Sequence, residues 1–495
     1  MPSIETRPHP TKHRALHATS AFKPSQIIHT FHPLILHPSL SHLTSVCTHC
    51  LRPGSPRACS RCHAAYYCDA ACQKAAWTAV HSKECKPLRQ RKLGSRTGAD
   101  LPTPVRALVQ TLLKQEIEDG VSLLDGHVDK RRNSKSWPDL EMMGMAACAF
   151  TGRDVRRAVE LLCKIQTNAF HRWDVDLGQV GVFLEPTLAM ANHSCIPNAV
   201  VQFVGRKAIL RAETAIQTGD EIEISYTDIS NVDNHPAVTD KRIQGIAAKH
   251  TTEPTQLPET LSERHRALVA EYKSNRTLID ADLWAVSPVP QLLTETSIYF
   301  AEQNNFAYAL AVASVVAVSC DPYRYVTPFH PVRVKNLLMM AKLLANTAEN
   351  TGSAITATKG GLNQKLQEAL ADIDQVSLCQ MLLLMIVKMC PGELAEWELC
   401  VSAREMLADI ARLPGRGKEL SLINSWSVDG DVEESKLFYE YAVVKQVGTE
   451  TQLSRQVTTE RIAFAKDGRA LPNITRYVNS YFTSVTLEQA PQGNG

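Results

Sequence analysis

A dense cluster of cysteine and histidine side chains lies near the start of the chain. Seven of the 14 cysteines fall between Cys47 and Cys85, and ten of the 17 histidines come before residue 82. They form four closely spaced pairs: Cys47-x2-Cys50, Cys59-x2-Cys62, Cys68-x3-Cys72 and His81-x3-Cys85. Structural Zn²⁺ takes four tetrahedral sulfur or nitrogen ligands, and a two-residue spacer lets both sulfurs of a pair reach one ion. The eight residues therefore predict two closed zinc sites.

The segment around these pairs contains few apolar residues that could form a core. A helix is predicted from Ala70 to Val80, and His81 and Cys85 would share one face of its continuation because they are four residues apart. A segment of this kind can hardly fold without metal, so we expect zinc to supply much of its folding free energy.

Composition limits the class of protein. The chain has 495 residues, 44% of them hydrophobic and 21% charged, with a formal net charge of +2. The length allows two to four domains, and the charge gives no overall attraction to nucleic acid or membrane. We find no apolar run of transmembrane length and no apolar segment typical of a secretory signal. These features predict an intracellular protein of the nucleus and/or cytoplasm, in which thiols stay reduced.

Two further segments contain polar residues that could form a site. They are Asn192-His193-Ser194-Cys195-Ile196-Pro197-Asn198-Ala199 and Gly219-Asp220-Glu221-Ile222-Glu223-Ile224-Ser225-Tyr226. Taken alone, the first is a polar turn with a satisfied histidine, and the second is a Gly-Asp turn that leads into a strand. The ordinary structural explanation is therefore sufficient for each segment by itself.

Sequence patterns predict the elements around these segments. Strands are expected at 27–36, 178–188 and 199–224, and helices at 104–114 and 154–165. Residues 86–96 are basic and predict a solvated connector, with a nuclear-targeting signal as the alternative. After residue 262 the predicted helices are Thr294–Ser319, Val332–Asn346, Leu366–Met389 and Glu393–Ala411.

The cysteine-rich segment resembles a MYND finger. Besides the eight ligands, Tyr66-Tyr67-Cys68 and Cys72-Gln73-Lys74-x-x-Trp77 match that family in type and spacing. The resemblance implies interleaved pairing, with Cys47, Cys50, Cys68 and Cys72 on one zinc and Cys59, Cys62, His81 and Cys85 on the other. His49 and His63 would be solvated. It also implies that the finger binds protein partners.

The two polar segments together resemble the signature motifs of SET methyltransferases. The resemblance implies that Asn168, Asn192, His193 and Tyr226 bind S-adenosylmethionine, and that Tyr226 is also the active-site tyrosine. The order along the chain is similar to that of SET and MYND domain-containing (SMYD-type) lysine methyltransferases. Two features depart from that family: His13 and Ala15 replace two glycines of its opening strand, and no cysteine lies between Cys195 and Cys320.

The expected fold is therefore α+β. A SET β-fold is interrupted by the double-zinc finger and followed by an all-α domain similar to helical repeats. The predicted boundaries are 1–46 for the N-terminal part of SET, 47–85 for the finger, 86–165 for a helical insert, 166–230 for the catalytic core, 231–261 for a linker or post-SET remnant, 262–480 for the helical domain and 481–495 for a disordered tail.

Two functions remain open from the sequence. The first is a protein-lysine N-methyltransferase that uses S-adenosylmethionine, with two structural zinc ions and a histone or non-histone protein as substrate. The second is a non-catalytic adaptor that acts through its finger and helical domain by binding other proteins, with transcriptional regulation as its expected role. No membrane association and no sequence-specific binding to nucleic acid is expected for either function.

Overall fold

The computed structural model describes residues 3–94, 100–174, 178–226, 258, 260–281, 283–325, 327–350 and 375–413. The chain divides into two compact units, Met1–Tyr226 and Thr227–Gly495, and each is described by itself. Most of the predicted linker at 231–261 and all of the predicted tail at 481–495 lie outside the described residues. None of the helices described is both long and apolar enough to cross a membrane.

The first unit opens with four short strands. Their bounds are Ile4–His9 (β1), His13–Ala18 (β2), Ile27–Phe31 (β3) and Ile35–Pro38 (β4). Strands β1 and β2 form an antiparallel hairpin in which His9 pairs with His13. The two strands predicted within 27–36 are confirmed, because their β-branched and aromatic residues bury one side against the core.

The finger follows these strands. Its elements are Arg57–Ala58 (β5), Tyr66–Tyr67 (β6), Ala70–Ala76 (α1), a π-helical turn at Trp77–His81 and Ser82–Gly94 (α2). Asp69 begins α1 as its N-cap, since its Oδ1 accepts a hydrogen bond from the backbone N–H of Cys72 at 2.7 Å. The helix predicted from Ala70 to Val80 therefore starts where expected.

The described part of the connector predicted at 86–96 is helical, with Lys86, Arg89 and Gln90 exposed, as expected of a solvated segment, and Leu88 buried. Residues 86–94 continue helix α2, which contains Pro87. The proline lacks the N–H that would bond to Lys83, but the next residue, Leu88, is buried in the core that surrounds the zinc ligands. The basic composition of the segment gave no indication that Leu88 would be buried.

Five helices follow between residues 103 and 168. Their bounds are Thr103–Leu113 (α3), Gln115–Ser122 (α4), Val128–Arg132 (α5), Trp137–Thr151 (α6) and Val155–Asn168 (α7). The helices predicted at 104–114 and 154–165 are confirmed as α3 and α7. Asp154 caps α7 by accepting a hydrogen bond from the N–H of Arg157 at 2.8 Å.

The remaining strands of the first unit return to those at its beginning. They are Phe170–Asp174 (β7), Gly178–Leu184 (β8), Asn192–His193 (β9), Ala199–Val204 (β10), Lys207–Ala212 (β11) and Glu223–Ile224 (β12). One antiparallel sheet has the order β4-β8-β7, and another has the order β10-β11-β3. Strands β9 and β12 pair in parallel.

Two apolar cores hold the first unit together. One contains residues of the finger and of α3, α6 and α7, including Leu88, Leu108 and Leu161. The other lies among the strands and includes Leu16, Phe183 and Leu210. The finger therefore shares its core with the helices that follow it, and that core is the larger of the two.

All regular elements in the described part of the second unit are helical. The α-helices are Leu261–Ser274 (α8), Arg276–Asp280 (α9), Val289–Glu302 (α10), Phe306–Val315 (α11), Asp321–Arg324 (α12), Pro331–Asn350 (α13), Gln375–Lys388 (α14) and Glu398–Ala411 (α15). Strands in the first unit and helices in the second confirm the α+β class.

The segment predicted to be helical from Thr294 to Ser319 is interrupted. Helix α10 ends at Glu302, and Asn304 has a left-handed φ of +58°. Asn305 then caps α11, because its Oδ1 accepts a hydrogen bond from the N–H of Tyr308 at 3.4 Å. The break falls on the polar run Glu302-Gln303-Asn304-Asn305, whose two asparagines are a turn signal that the prediction of one continuous helix passed over. Residues 366–374, the start of another predicted helix, lie outside the described residues.

Candidate active site and metal sites

The finger brings the eight predicted metal ligands together in two groups. Cys47, Cys50, Cys68 and Cys72 form one group, and Cys59, Cys62, His81 and Cys85 form the other. Within each group the ligand atoms lie within 4.8 Å of one another. These are the groups that interleaved pairing predicts.

Distances within the groups match a tetrahedral zinc site. The sulfurs of Cys50 and Cys68 are 3.9 Å apart, and those of Cys59 and Cys85 are 4.0 Å apart. Zn–S bonds of about 2.3 Å in a tetrahedron place two sulfurs roughly 3.8 Å apart. The donor set and its spacing therefore fit two Zn²⁺ ions, one bound by four sulfurs and one by three sulfurs and a nitrogen.

The two Cys-x2-Cys turns have the same backbone geometry. In each, the residue after the second cysteine donates its N–H to the carbonyl of the first: Leu51 to Cys47 at 2.9 Å and His63 to Cys59 at 3.0 Å. Leu51 and His63 also have left-handed φ angles of +57° and +53°. The turn folds the chain back so that both sulfurs of a pair face one point.

The two histidines between the ligands differ in their surroundings. Neither belongs to a metal-ligand group among the described residues. His63 is exposed, as expected. His49 is half-buried, and the prediction that it is solvated was wrong: Arg206 Nη1 lies 3.2 Å from its Nδ1 and also donates to its carbonyl. Arg206 extends from the β10–β11 turn, so the sheet contacts the finger beside the four-cysteine group.

The two polar segments cross one another in the structure. We call strands β9 and β12, with the turn at 194–198 between β9 and β10, the crossing. The N–H groups of Ser194 and Asn198 donate to the carbonyls of Ile224 and Glu223, at 3.0 and 3.2 Å. The Asn198 side chain accepts from the N–H of Glu223 at 2.9 Å and donates to the carbonyl of Glu221 at 2.8 Å. The motif residues are therefore fixed by backbone contacts.

Three of the four predicted site residues meet at the crossing. His193 Nδ1 accepts a hydrogen bond from the N–H of Tyr226 at 3.1 Å, and the two rings are 5.4 Å apart. The Tyr226 hydroxyl donates to the carbonyl of Ala191 at 2.8 Å. Asn192 Nδ2 donates to the carbonyl of Arg14 at 3.0 Å and to Glu221 Oε1 at 2.8 Å.

Asn168, the fourth predicted residue, is joined to this group through other residues. Its Nδ2 donates to the carbonyls of Asp125 and Lys164 at 2.7 and 2.8 Å. The Asp125 carboxylate lies 3.8 Å from Arg14 Nη2, and the Arg14 carbonyl accepts the bond from Asn192. Asn168 thus helps to position the end of α7 and the loop before α5.

Lys12 and Glu221 are two residues of the site that the motif patterns did not single out. Lys12 Nζ donates to Glu221 Oε1 at 3.0 Å and to Glu223 Oε1 at 2.8 Å. The bond to Glu223 is the main cause that raises the pKa of Lys12. The sequence offered one signal for this pair: the resemblance places the opening strand, with Lys12, near the second polar segment, with Glu221, and the two side chains carry opposite charges.

The pKa of Glu221 is lowered by its neighbours. Burial alone would raise the pKa of this carboxyl, but hydrogen bonds from Asn192 and Lys12 and the charge of Lys12 outweigh that effect. The hydroxyl of Tyr226 is protonated at neutral pH because the ordinary pKa of tyrosine is about 10. Its partly buried position against the Ala191 carbonyl raises the pKa of Tyr226 further, although most of the side chain is exposed. The crossing therefore presents an ionised carboxylate and a neutral tyrosine.

The opening hairpin reaches the same place with an unusual backbone. His13 has a φ of +65°, a conformation that glycine adopts without strain and other residues rarely do. The His13 side chain is exposed, whereas Ala15 is completely buried. The chain thus keeps a left-handed residue where the family has glycine.

Large apolar side chains are exposed around the crossing. The three most exposed among the described residues are Ile196 at 69%, Leu123 at 65% and Tyr226 at 61%. Ile196 belongs to the crossing itself, and the carbonyl of Leu123 accepts a hydrogen bond from Arg14. Ile196 and Tyr226 therefore expose apolar surface at the crossing itself.

Comparisons with known proteins agree with this description. The MYND finger family model matches residues 47–85. The chain is 30% identical over 234 residues to histone-lysine N-methyltransferase ASHR1 of Arabidopsis thaliana, covering 44% of this chain and 48% of the relative. It is 30% identical over 193 residues to SET domain and MYND-type zinc finger protein 6 of Schizosaccharomyces pombe, covering 38% and 39%.

A human relative gives a similar result. Histone-lysine N-methyltransferase SMYD3 of Homo sapiens is 30% identical over 233 residues, covering 43% of this chain and 53% of the relative. The chain thus matches about half the length of these relatives. The solved structure of the SET domain of LSMT, bound to lysine and AdoHcy, is 10% identical to this chain, with 88% of this chain and 94% of that chain covered. The TM-score of this comparison is 0.20, which is too low to support a common fold. The finger and these relatives show that this chain contains a MYND finger and is similar over about half their length to SET and MYND domain-containing proteins.

Proposed function

We propose that this chain is a protein-lysine N-methyltransferase that uses S-adenosylmethionine and carries two structural zinc ions in its finger. The observation that supports the activity is the crossing, where Asn192, His193 and Tyr226 meet beside exposed apolar surface. Relatives that are 30% identical to this chain over 234 and 233 residues are named histone-lysine N-methyltransferases, which supports the proposal. We further propose that the eight cysteine and histidine residues of the finger are the zinc ligands.

Each site residue has a proposed role. Asn192 and His193 would hold the cofactor, with Asn168 supporting the loop beside them. Their orientation is fixed, because Asn192 is bonded to Arg14 and Glu221 and His193 accepts the N–H of Tyr226. S-adenosylmethionine would supply the methyl group from its sulfonium.

Tyr226 would align the reacting groups instead of acting as a base. Its hydroxyl stays protonated at neutral pH, since the ordinary pKa of tyrosine is about 10 and the surroundings of Tyr226 raise its pKa. The target lysine must lose a proton first, because the ordinary pKa of its ammonium is about 10.4. Removal of that ammonium from water lowers its pKa and favours the neutral amine. The protein therefore has to position and desolvate the lysine more than to provide a strong base.

An adaptor that binds proteins without catalysis is the second candidate. The observation that favours it is the opening hairpin, where His13 and the buried Ala15 stand in place of two glycines. Side chains there restrict how closely backbone can approach a cofactor. In both cases we propose that the finger binds protein partners. The proposed substrate is a lysine of a histone or of another protein, in the nucleus or the cytoplasm.

Calorimetric titration of S-adenosylmethionine into the full-length protein separates the two candidates. We expect saturable binding, and Asn192→Ala should weaken it about tenfold or more, because roughly 1.4 kcal/mol of a fixed polar contact is lost. Asn133→Ala is the matched control, since Asn133 is exposed and lies outside the site. Absence of heat at millimolar cofactor for the wild type would contradict the enzyme and leave the adaptor.

A further inference from the structure

One charged side chain beside the zinc groups is completely enclosed. Glu84 is 1% exposed, and its Oε1 lies 2.9 Å from Nδ1 of His81, which is also 1% exposed. A carboxylate can only accept at neutral pH, so His81 Nδ1 carries the proton and donates it to Glu84. The other ring nitrogen is then left to bind metal.

That second nitrogen faces the ligand group. His81 Nε2 lies 3.5 Å from the sulfur of Cys59 and 3.7 Å from the sulfur of Cys62. Histidines that bind metal commonly donate their other N–H to a carboxylate, which fixes the tautomer and the orientation of the ring. The His81–Glu84 pair has this arrangement.

Glu84 is in turn held by helix α3, outside the finger. Arg106 Nη2 donates to its Oε1 at 3.0 Å, and Gln110 Nε2 donates to its Oε2 at 3.1 Å. Arg106 is 2% exposed and also donates through Nη1 to the carbonyl of Ala64, between Cys62 and Tyr66. One arginine therefore binds both the carboxylate and the backbone of the finger.

Ordinary ion pairing does not require this placement. Burial of two charges costs free energy, and their attraction offsets that cost only with good geometry, whereas an exposed ion pair avoids it. Glu84 and Arg106 are both enclosed at the one point where a metal-ligand histidine needs an acceptor for its N–H.

We propose that Glu84, held by Arg106 and Gln110 of α3, orients His81 at the zinc site of Cys59, Cys62, His81 and Cys85. This zinc is then retained by the helical insert as well as by the finger. The site formed by the four cysteines does not share this support. The inference rests on the proposed zinc ligands, and it is independent of methyl transfer.

The test measures the release of zinc from the folded full-length protein. Zinc transfer to the chromogenic chelator 4-(2-pyridylazo)resorcinol is followed for the wild type, Glu84→Gln and Glu118→Gln. Glu118 is the matched control, because it is also a buried glutamate between two arginines, Arg153 and Arg157, but touches no zinc ligand. Loss of a carboxylate behind a metal ligand typically weakens the metal 10- to 100-fold.

The expected result is selective. In Glu84→Gln one of two zinc ions per chain should leave about 10- to 100-fold faster, while the second leaves at the wild-type rate. In Glu118→Gln both should leave as in the wild type. After replacement of zinc by cadmium, the ¹¹³Cd NMR signal of the Cys₃His site should shift in Glu84→Gln, and that of the Cys₄ site should stay.

Other outcomes overturn the proposal. The proposal is refuted if Glu84→Gln releases zinc at the wild-type rate. It is also refuted if both zinc ions leave faster by the same factor, because that result indicates general destabilisation. If Glu84→Gln does not fold, the Gln110→Leu variant is measured instead, because it keeps the Glu84–His81 hydrogen bond and removes only the hydrogen bond from Gln110 to Glu84. Faster release of one zinc alone from this variant supports the proposal, and release of both at the wild-type rate refutes it. A wild type with fewer than two zinc ions would instead refute the ligand assignment.

Discussion

Asp321, in the second unit, is a buried carboxylate with too few partners. It lies at the start of α12 and is 1% exposed. Its Oδ2 accepts a hydrogen bond from Asn336 at 2.7 Å, but its Oδ1 has no hydrogen-bond partner among the described residues. Burial raises the pKa of Asp321 to about 6, although Asn336, Arg333 and Arg324 act in the opposite direction. Its charge is therefore a cost to the folded state.

This pKa predicts how Asp321→Asn changes stability. A carboxyl raised from 3.8 to about 6 loses roughly 3 kcal/mol of stability as the pH rises through that interval, because only the unfolded chain ionises easily there. Asn keeps an oxygen for Asn336 and removes the charge. We expect the variant to be more stable by about 1–3 kcal/mol at pH 7.5 and to lose that advantage near pH 4.

The measurement is urea unfolding of both proteins at several pH values between 4 and 7.5. Leu413→Ala, an exposed position in the same unit, is a control that should show no pH-dependent difference. A variant that is less stable than the wild type at pH 7.5 would mean that the charge of Asp321 is stabilised by its arginines, contrary to this account.

At the scale of elements, the finger and helix α3 share one apolar core. Five of the eight proposed zinc ligands belong to the same apolar core as Val105 and Leu108 of α3. Lys83 of α2 also donates to the carbonyl of Leu113 at 3.2 Å. The sheet core contains other residues, including Phe31 and Leu210. Metal removal should therefore affect some elements far more than others.

We expect a chelator to raise hydrogen exchange in the finger and in α3. Once zinc leaves, Glu84 and Arg106 lose the ordered finger against which they are buried, and the shared core opens. Strands β3, β10 and β11 should keep most of their protection. Hydrogen exchange read by mass spectrometry, with zinc restored as the control, measures this. Equal loss of protection across the first unit, or none in α3, would disagree with the shared core.

Across the whole molecule, local chemistry was more readable in the sequence than long-range contacts. The zinc ligands lie within one short segment, so their types and spacing predict the two groups. Lys12 and Glu221 are 209 residues apart, and Asn192 and Arg14 are 178 apart. Such contacts depend on how strands β2, β9 and β12 assemble, which residue patterns along the chain do not encode.

Some elements were also beyond local patterns. Helix α2 continues through a basic stretch in which Leu88 is buried. The left-handed Asn304 lies in the polar run 302–305, which separates two helices that were predicted as one. The predicted domain boundaries stay predictions, although the division of the chain at Tyr226 and Thr227 falls near the expected end of the catalytic core at 230. The altered residue at position 13 was evident in the sequence, but its φ of +65° was not.

Methyl transfer is the activity proposed for this chain. Transfer of labelled methyl groups from S-adenosylmethionine to lysines of cell-extract proteins tests it most directly, with Tyr226→Phe beside the wild type and Tyr299→Phe, in α10, as the control. We predict transfer by the wild type and by Tyr299→Phe, and roughly 100-fold slower transfer by Tyr226→Phe because alignment is lost. No lysine methylation by the wild type, or a rate that Tyr226→Phe leaves unchanged, would contradict the account.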